Sequence, residues 1–206
     1  MNFFTLAASL IGLVAADHTI ELTTSVDNAF YTDITGGNIQ YGPGNQVGTF
    51  GPTGDWTQVQ TKTYQVTGDG PWVLGVVADD YGVTAGFMGV VRLDGEVIAV
   101  TGDAEQSWQV KEGSSSPNTL QVPPGWLAVN YDAAGNGFVP AGFNSACLNQ
   151  GAYVNVKAQI GQGVKPIWQK GGVADCTSYP DGLHYYNYFR LVISLPPAKC
   201  EAPEDI

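Results

Sequence analysis

The hydrophobic pattern of this chain runs mostly with a period of two. Thr19–Val26 sets Ile20, Leu22 and Val26 against Glu21, Thr23 and Ser25, which is the alternation of a strand with one buried face. Gly86–Leu93 and Glu96–Thr101 are β-branched and apolar runs that meet at Asp94-Gly95, and an Asp-Gly pair between such runs predicts a tight antiparallel hairpin. Trp72–Ala78, reading WVLGVVA, is continuously apolar and predicts a central strand covered on both faces. Trp56–Val66 has strand propensity without a clean apolar face, so it is expected at a sheet edge.

Further strands are expected at Ser107–Lys111, Thr119–Val122 and Gly125–Tyr131. Ala152, Val154, Val156, Ala158 and Ile160 then alternate with Tyr153, Asn155, Lys157 and Gln159, predicting a strand with one wet face. Tyr188–Leu195 closes the series, burying Phe189, Leu191, Ile193 and Leu195 and ending at Pro196-Pro197, which cannot donate to a ladder. Strands of this length between turn signals, with no helical repeat, predict an all-β fold: a single, mostly antiparallel, jelly-roll-like β-sandwich over residues 17–197. Glycine at 27 of 206 residues and only 13% charged residues fit short strands and tight turns better than helices.

The ends change the picture. Residues 1–16 form an uncharged apolar run closing on Val14-Ala15-Ala16, small residues where a signal peptidase reads, so a secretion signal, a mature start at Asp17 and an extracellular product are expected. Residues 198–206 read as an acidic flexible tail. No later segment is long and apolar enough to insert in a membrane. In an oxidising compartment two of Cys147, Cys176 and Cys200 are expected to pair; the sequence leaves the pairing open and leans to Cys147 with Cys176, because Cys200 sits in the Pro-rich tail. No N-glycosylation sequon occurs. Eight basic against 19 acidic residues give a net charge of −11, which repels phosphate backbones and anionic headgroups and excludes nucleic acid as a natural partner.

Several of these pieces carry a resemblance. Asp94-Gly95 in its hairpin, Trp108 shortly after, Pro166-Ile167-Trp168, and Tyr188-Phe189-Arg190 with Leu195-Pro196 closing the last strand resemble the galactose-binding-domain-like jelly-roll family over roughly residues 70–196. The chain differs from that pattern in having Asp where Asn-Gly is common, and in the Tyr- and Cys-bearing stretch Gln169–Asn187. The resemblance implies a sandwich of the carbohydrate-binding or accessory kind, some of which hold a structural calcium.

For chemistry, five tryptophans and ten tyrosines suit sugar binding, since aromatic faces stack on pyranose rings while amides and carboxylates bond the hydroxyls. Trp72, Trp108 and Trp168 lie in or beside apolar strands and are read as core. Trp56 and Trp126 each follow a Gly-containing turn and are candidates for a loop rim. Asp79-Asp80-Tyr81 and Tyr131-Asp132 with Asn136 are expected in two acidic loops at one end of the sandwich, suited to hydroxyl recognition or to calcium, although such residues also serve turns. The candidate ligand-binding set is thus Trp56, Asp79, Asp80, Tyr81, Trp126, Tyr131, Asp132 and Asn136, with no catalytic residue. No nucleophile elbow or phosphate loop occurs, and two histidines make a Ser-His-Asp triad hard to assemble. One enzymatic alternative, a copper-dependent polysaccharide monooxygenase, needs an amino-terminal histidine; His18 with His184 fits only if cleavage falls after Asp17. The sequence therefore points to a secreted, non-catalytic, carbohydrate-binding sandwich, with a structural or adhesive matrix protein as the second reading.

Overall fold

The computed structural model describes residues 17–35, 40–41, 57–80, 85–103, 108–113, 122–142, 151–168 and 185–196. Residues 1–16 and 198–206, expected as a secretion signal and an acidic tail, together with Trp56, Tyr81, His184 and all three cysteines, lie outside the described residues. Among the described residues ten strands form two antiparallel sheets: β1 (Asp17–Asp27), β2 (Ala29–Ile34), β3 (Gln40–Tyr41), β4 (Gln60–Thr67), β5 (Trp72–Asp80), β6 (Gly86–Leu93), β7 (Glu96–Val100), β8 (Gln109–Glu112), β9 (Val139–Pro140) and β10 (Tyr185–Ile193). The first sheet has the order β4-β1-β6-β7, the second β3-β2-β5-β10-β8-β9. The chain crosses between sheets repeatedly, first at Asn28 between β1 and β2. The all-β, mostly antiparallel sandwich expected from the sequence is the observed architecture.

Alternation explains what fills the space between the sheets. Ile20, Leu22 and Val26 of β1, Phe87, Val91 and Leu93 of β6, Trp72, Leu74, Val76 and Ala78 of β5, and Phe189, Leu191 and Ile193 of β10 all belong to one buried cluster, which Trp108, Ile167 and Trp168 complete. Trp72, Trp108 and Trp168 are therefore core, as expected. β5 is buried at every position because β2 and β10 flank it and both its faces are covered. β4 is the expected edge strand, with Tyr64 and Val66 turned inward and Thr61, Thr63, Gln65 and Thr67 exposed.

The β6–β7 hairpin turns where the sequence places it. Asp94 (φ 51°) and Gly95 (φ 88°) both take the left-handed conformation that a two-residue turn of this twist requires. Asp94 also fastens the start of β1: its Oδ1 accepts from the Thr19 backbone N at 2.8 Å, and its Oδ2 lies 2.6 Å from His18 Nδ1. The His18 bond, and next the Thr19 amide, hold the Asp94 carboxyl below the usual range.

Two expected strands are not strands. Gly151–Ile160 is a helix, α1. Tyr153, Val156 and Ile160 face inward at helical spacing and pack on Met88 and Val90 of β6, while Val154 is exposed. Gly161 (φ 72°) ends the helix in the left-handed region, its N–H bonding Lys157 O at 2.9 Å. Gly125–Tyr131 is a succession of turns, with Ala128 N bonding Gly125 O and Tyr131 N bonding Ala128 O. It starts at Gly125 (φ 68°), and its carbonyls are taken by Arg190 of the sheet rather than by a neighbouring strand. The result is a layered molecule: α1 lies on the outer face of the first sheet and the 122–142 segment on the outer face of the second.

Candidate functional site

The 122–142 segment is a platform built onto β5 and β10. The odd side of β5 presents Val77, and β10 presents Tyr186 and Tyr188; with Tyr31 they receive Trp126, Ala133 and Phe138 as a second buried cluster. Trp126 is only 5% exposed. The far edge of its indole reaches the backbone at Gly75, where an added Cβ would stand 2.5 Å from the ring and 2.6 Å from Leu127 Cδ2. Opposite Gly75 in the ladder stands Arg190, whose Nε donates to Trp126 O and whose Nη2 donates to Ala128 O, both at 2.9 Å, while Nη1 donates to Gln109 Oε1 at 3.0 Å. Burial lowers the Arg190 pKa from its usual value. The expectation that Trp126 stands at a rim is thus corrected: the missing side chain at Gly75 opens a slot that the indole fills.

What the platform does expose is polar. Asp132 and Asn136 are exposed and Tyr131 is half-buried, edge-on to Phe138 and beneath the Arg190 guanidinium. Asp132 Oδ1 accepts from Gly135 N at 2.9 Å, and Asn136 Nδ2 donates to Asp132 O at 2.7 Å. These bonds fix the 132–137 turn and leave Asp132 Oδ2 and the Asn136 amide oxygen at its surface, so the side chains serve both the turn and the exterior.

Asp79 and Asp80 are not in a loop. They are the last two residues of β5, paired with Tyr186 and Tyr185 of β10, and both are buried, at 4% and 0% exposure. Asp79 lies on the platform side, where its charge adds to burial in raising the Tyr186 pKa. Asp80 belongs to a different group, with Asp27 at the end of β1 and Tyr153 of α1. The four acidic-loop positions therefore separate: Asp132 and Asn136 on the outside, Asp79 and Asp80 within, with Asp80 turned toward α1.

Asp27 and Tyr153 were not singled out by the sequence, where Asp27 follows the alternating Thr19–Val26 run and Tyr153 reads as the wet side of a strand. Asp27 is 3% exposed, and burial pushes its carboxyl up to about 8, against the lowering effect of the Tyr153 hydroxyl beside it. The Tyr153 hydroxyl is in turn raised well above its ordinary value, by burial first and then by the charges of Asp27 and Asp80. Beneath it lies Gly86, opposite Asp27 in the ladder, where a Cβ would stand 2.6 Å from the tyrosine oxygen. A carboxyl raised by burial suits acid–base chemistry where a substrate can reach it, and Asp27 is a buried one.

Among the described residues no three His, Cys, Asp or Glu side chains converge as a metal-binding group, so they assemble no calcium set of the six to eight oxygens that ion takes. No protein-family model, curated protein or solved structure matches the chain.

Proposed function

We propose that this chain is a secreted, non-catalytic β-sandwich that binds carbohydrate through the outer surface of the 122–142 platform. The observation that carries the reading is the anchoring of that platform. Trp126 in the Gly75 slot and Arg190 on the carbonyls of Trp126 and Ala128 hold an irregular segment rigid, with Tyr131, Asp132 and Asn136 at its surface. A preformed array of an aromatic edge, a carboxylate and an amide suits a neutral polyhydroxylated ligand, because little ordering entropy is lost when it binds. The net charge of −11 favours neutral over anionic glycans. The motif resemblance to galactose-binding-domain-like modules belongs to the same proposal, as does any contribution from Trp56 and Tyr81.

The test is a glycan array on the secreted chain, with and without calcium, followed by calorimetry on the best ligand. Tyr131→Ala and Asp132→Ala should each weaken binding about 5- to 150-fold, the scale of an interface contact worth ~1–3 kcal/mol. Absence of any glycan ligand, or unchanged affinity in both variants, would reject the proposal and leave the adhesive reading in front.

A further inference from the structure

We propose that Asp27, Asp80 and Tyr153 form a proton-operated latch on α1: the helix is fastened to the first sheet while Asp27 carries a proton, and ionisation of Asp27 releases it. The inference is independent of the carbohydrate reading, since it concerns the opposite outer face of the sandwich.

The geometry supplies both halves of the device. Asp27, Asp80 and Tyr153 come from β1, β5 and α1, and all three are at most 3% exposed. From α1, Tyr153 faces Asp27; the helix holds no acid in its first turn, and its one cation, Lys157, lies a turn beyond Tyr153. From β5, Asp80 acts on the same tyrosine. From β6, the residue opposite Asp27 is Gly86, which brings no charge, and Asp79 lies on the other side of the second sheet with Tyr186. Neither His18–Asp94 nor Arg92–Glu21, ion pairs among the described residues, involves Asp27. A carboxylate closed into so dry a space loses its hydration with no cation among the described residues opposite it, so the closed helix selects the protonated form of Asp27.

Release is local because the parts differ in how firmly they are held. Asp27 pairs with Gly86 at the end of the ladder between the two central strands of the first sheet, whereas α1 is ten residues long and sits on that sheet through Tyr153, Val156 and Ile160. Lifting α1 hydrates Asp27 without breaking a ladder, and short surface elements open more readily than core strands.

The direction with pH follows from the carboxyl itself. Its value rises from 3.8 to about 8 in the closed state, so the closed helix binds a proton that the open one gives up. Closure is at full strength below about pH 4, weakens as pH rises and reaches its floor near pH 8, at a rate approaching about tenfold in the opening equilibrium per pH unit.

Hydrogen exchange on the full chain from pH 5 to pH 9, corrected for intrinsic rates, tests this. Protection of the Tyr153–Ile160 amides should fall by up to about tenfold per unit to pH 8 and then level, while β5 and β10 hold theirs. Asp27→Asn, which keeps the shape without the proton, should make helix protection independent of pH. Should that variant fail to fold, the side-chain carboxyl carbon of Asp27 in the unaltered chain must titrate near pH 8 by NMR. Flat protection in the unaltered chain, equal loss in α1, β5 and β10, or a pH response surviving Asp27→Asn would each overturn the latch. Recovery of helix protection at pH 8.5 on adding calcium would also overturn it, showing that a cation rather than a proton satisfies the pair.

Discussion

Gly75 and Trp126 show how much of this molecule turns on single contacts. In the middle of a strand a glycine is ordinarily a weakness, since it fixes a flexible backbone and offers no side chain to pack. Here its bareness admits an indole, and Arg190 across the ladder ties the same segment down by its carbonyls. Trp126→Ala is expected to cost about 3–5 kcal/mol of stability, as loss of a large core side chain does. Gly75→Ala should cost about 1–3 kcal/mol, because its new methyl collides with a ring that has nowhere to go. With the ring gone the methyl still meets Leu127 Cδ2, which an added Cβ would approach to 2.6 Å, but the indole's share of the clash is relieved, so the double variant should cost less than the sum of the two. Urea unfolding of the three proteins checks this, and strict additivity would show that the indole does not occupy the slot.

Among the elements, α1 separates what is legible in the sequence from what is not. The β6–β7 hairpin was readable because its cause is local: two β-rich runs and a turn pair that tolerates φ above zero at both positions. The helix was not, since Val154, Val156, Ala158 and Ile160 mimic a period of two, while the true signal, Tyr153, Val156 and Ile160 followed by Gly161, is one stripe and a C-terminal glycine. Asp79 and Asp80 misled for a related reason. They are turn-forming types, but Ala29, Tyr185 and Tyr186 from distant parts of the chain extend β5 through them. The platform around Trp126 depends equally on remote partners, Gly75 and Arg190, that no local window contains. Helix and strand make opposite predictions at Val154 and Val156. Val154→Lys should change stability by no more than about 0.5 kcal/mol, because the residue points to water. Val156→Lys should cost about 3–5 kcal/mol by placing an unpaired charge under the helix. A strand would make the two equally damaging, so the paired melts decide the element.

At the scale of the whole molecule, the inter-sheet core separates two outer packings that share no residue. The cluster beneath α1 draws on β6, and the cluster beneath the platform draws on β2, β5 and β10. Between them lies the large core, and face-to-face sheets stand about 10 Å apart, so a change under one outer layer is not felt directly under the other. Such separation lets one face respond to protons while the opposite face keeps its shape. The expected outcome is energetic independence. Val156→Ala loosens α1 and Phe138→Ala loosens the platform, and together they should sum to within about 0.5 kcal/mol in equilibrium unfolding, as unconnected sites do. Hydrogen exchange should locate each loss on its own side, in 151–160 for the first variant and in 122–142 for the second. A coupling above about 1 kcal/mol would mean that the core transmits strain between the outer layers. In that case lifting α1 would disturb the platform as well, and the latch and the ligand surface would be parts of one switch.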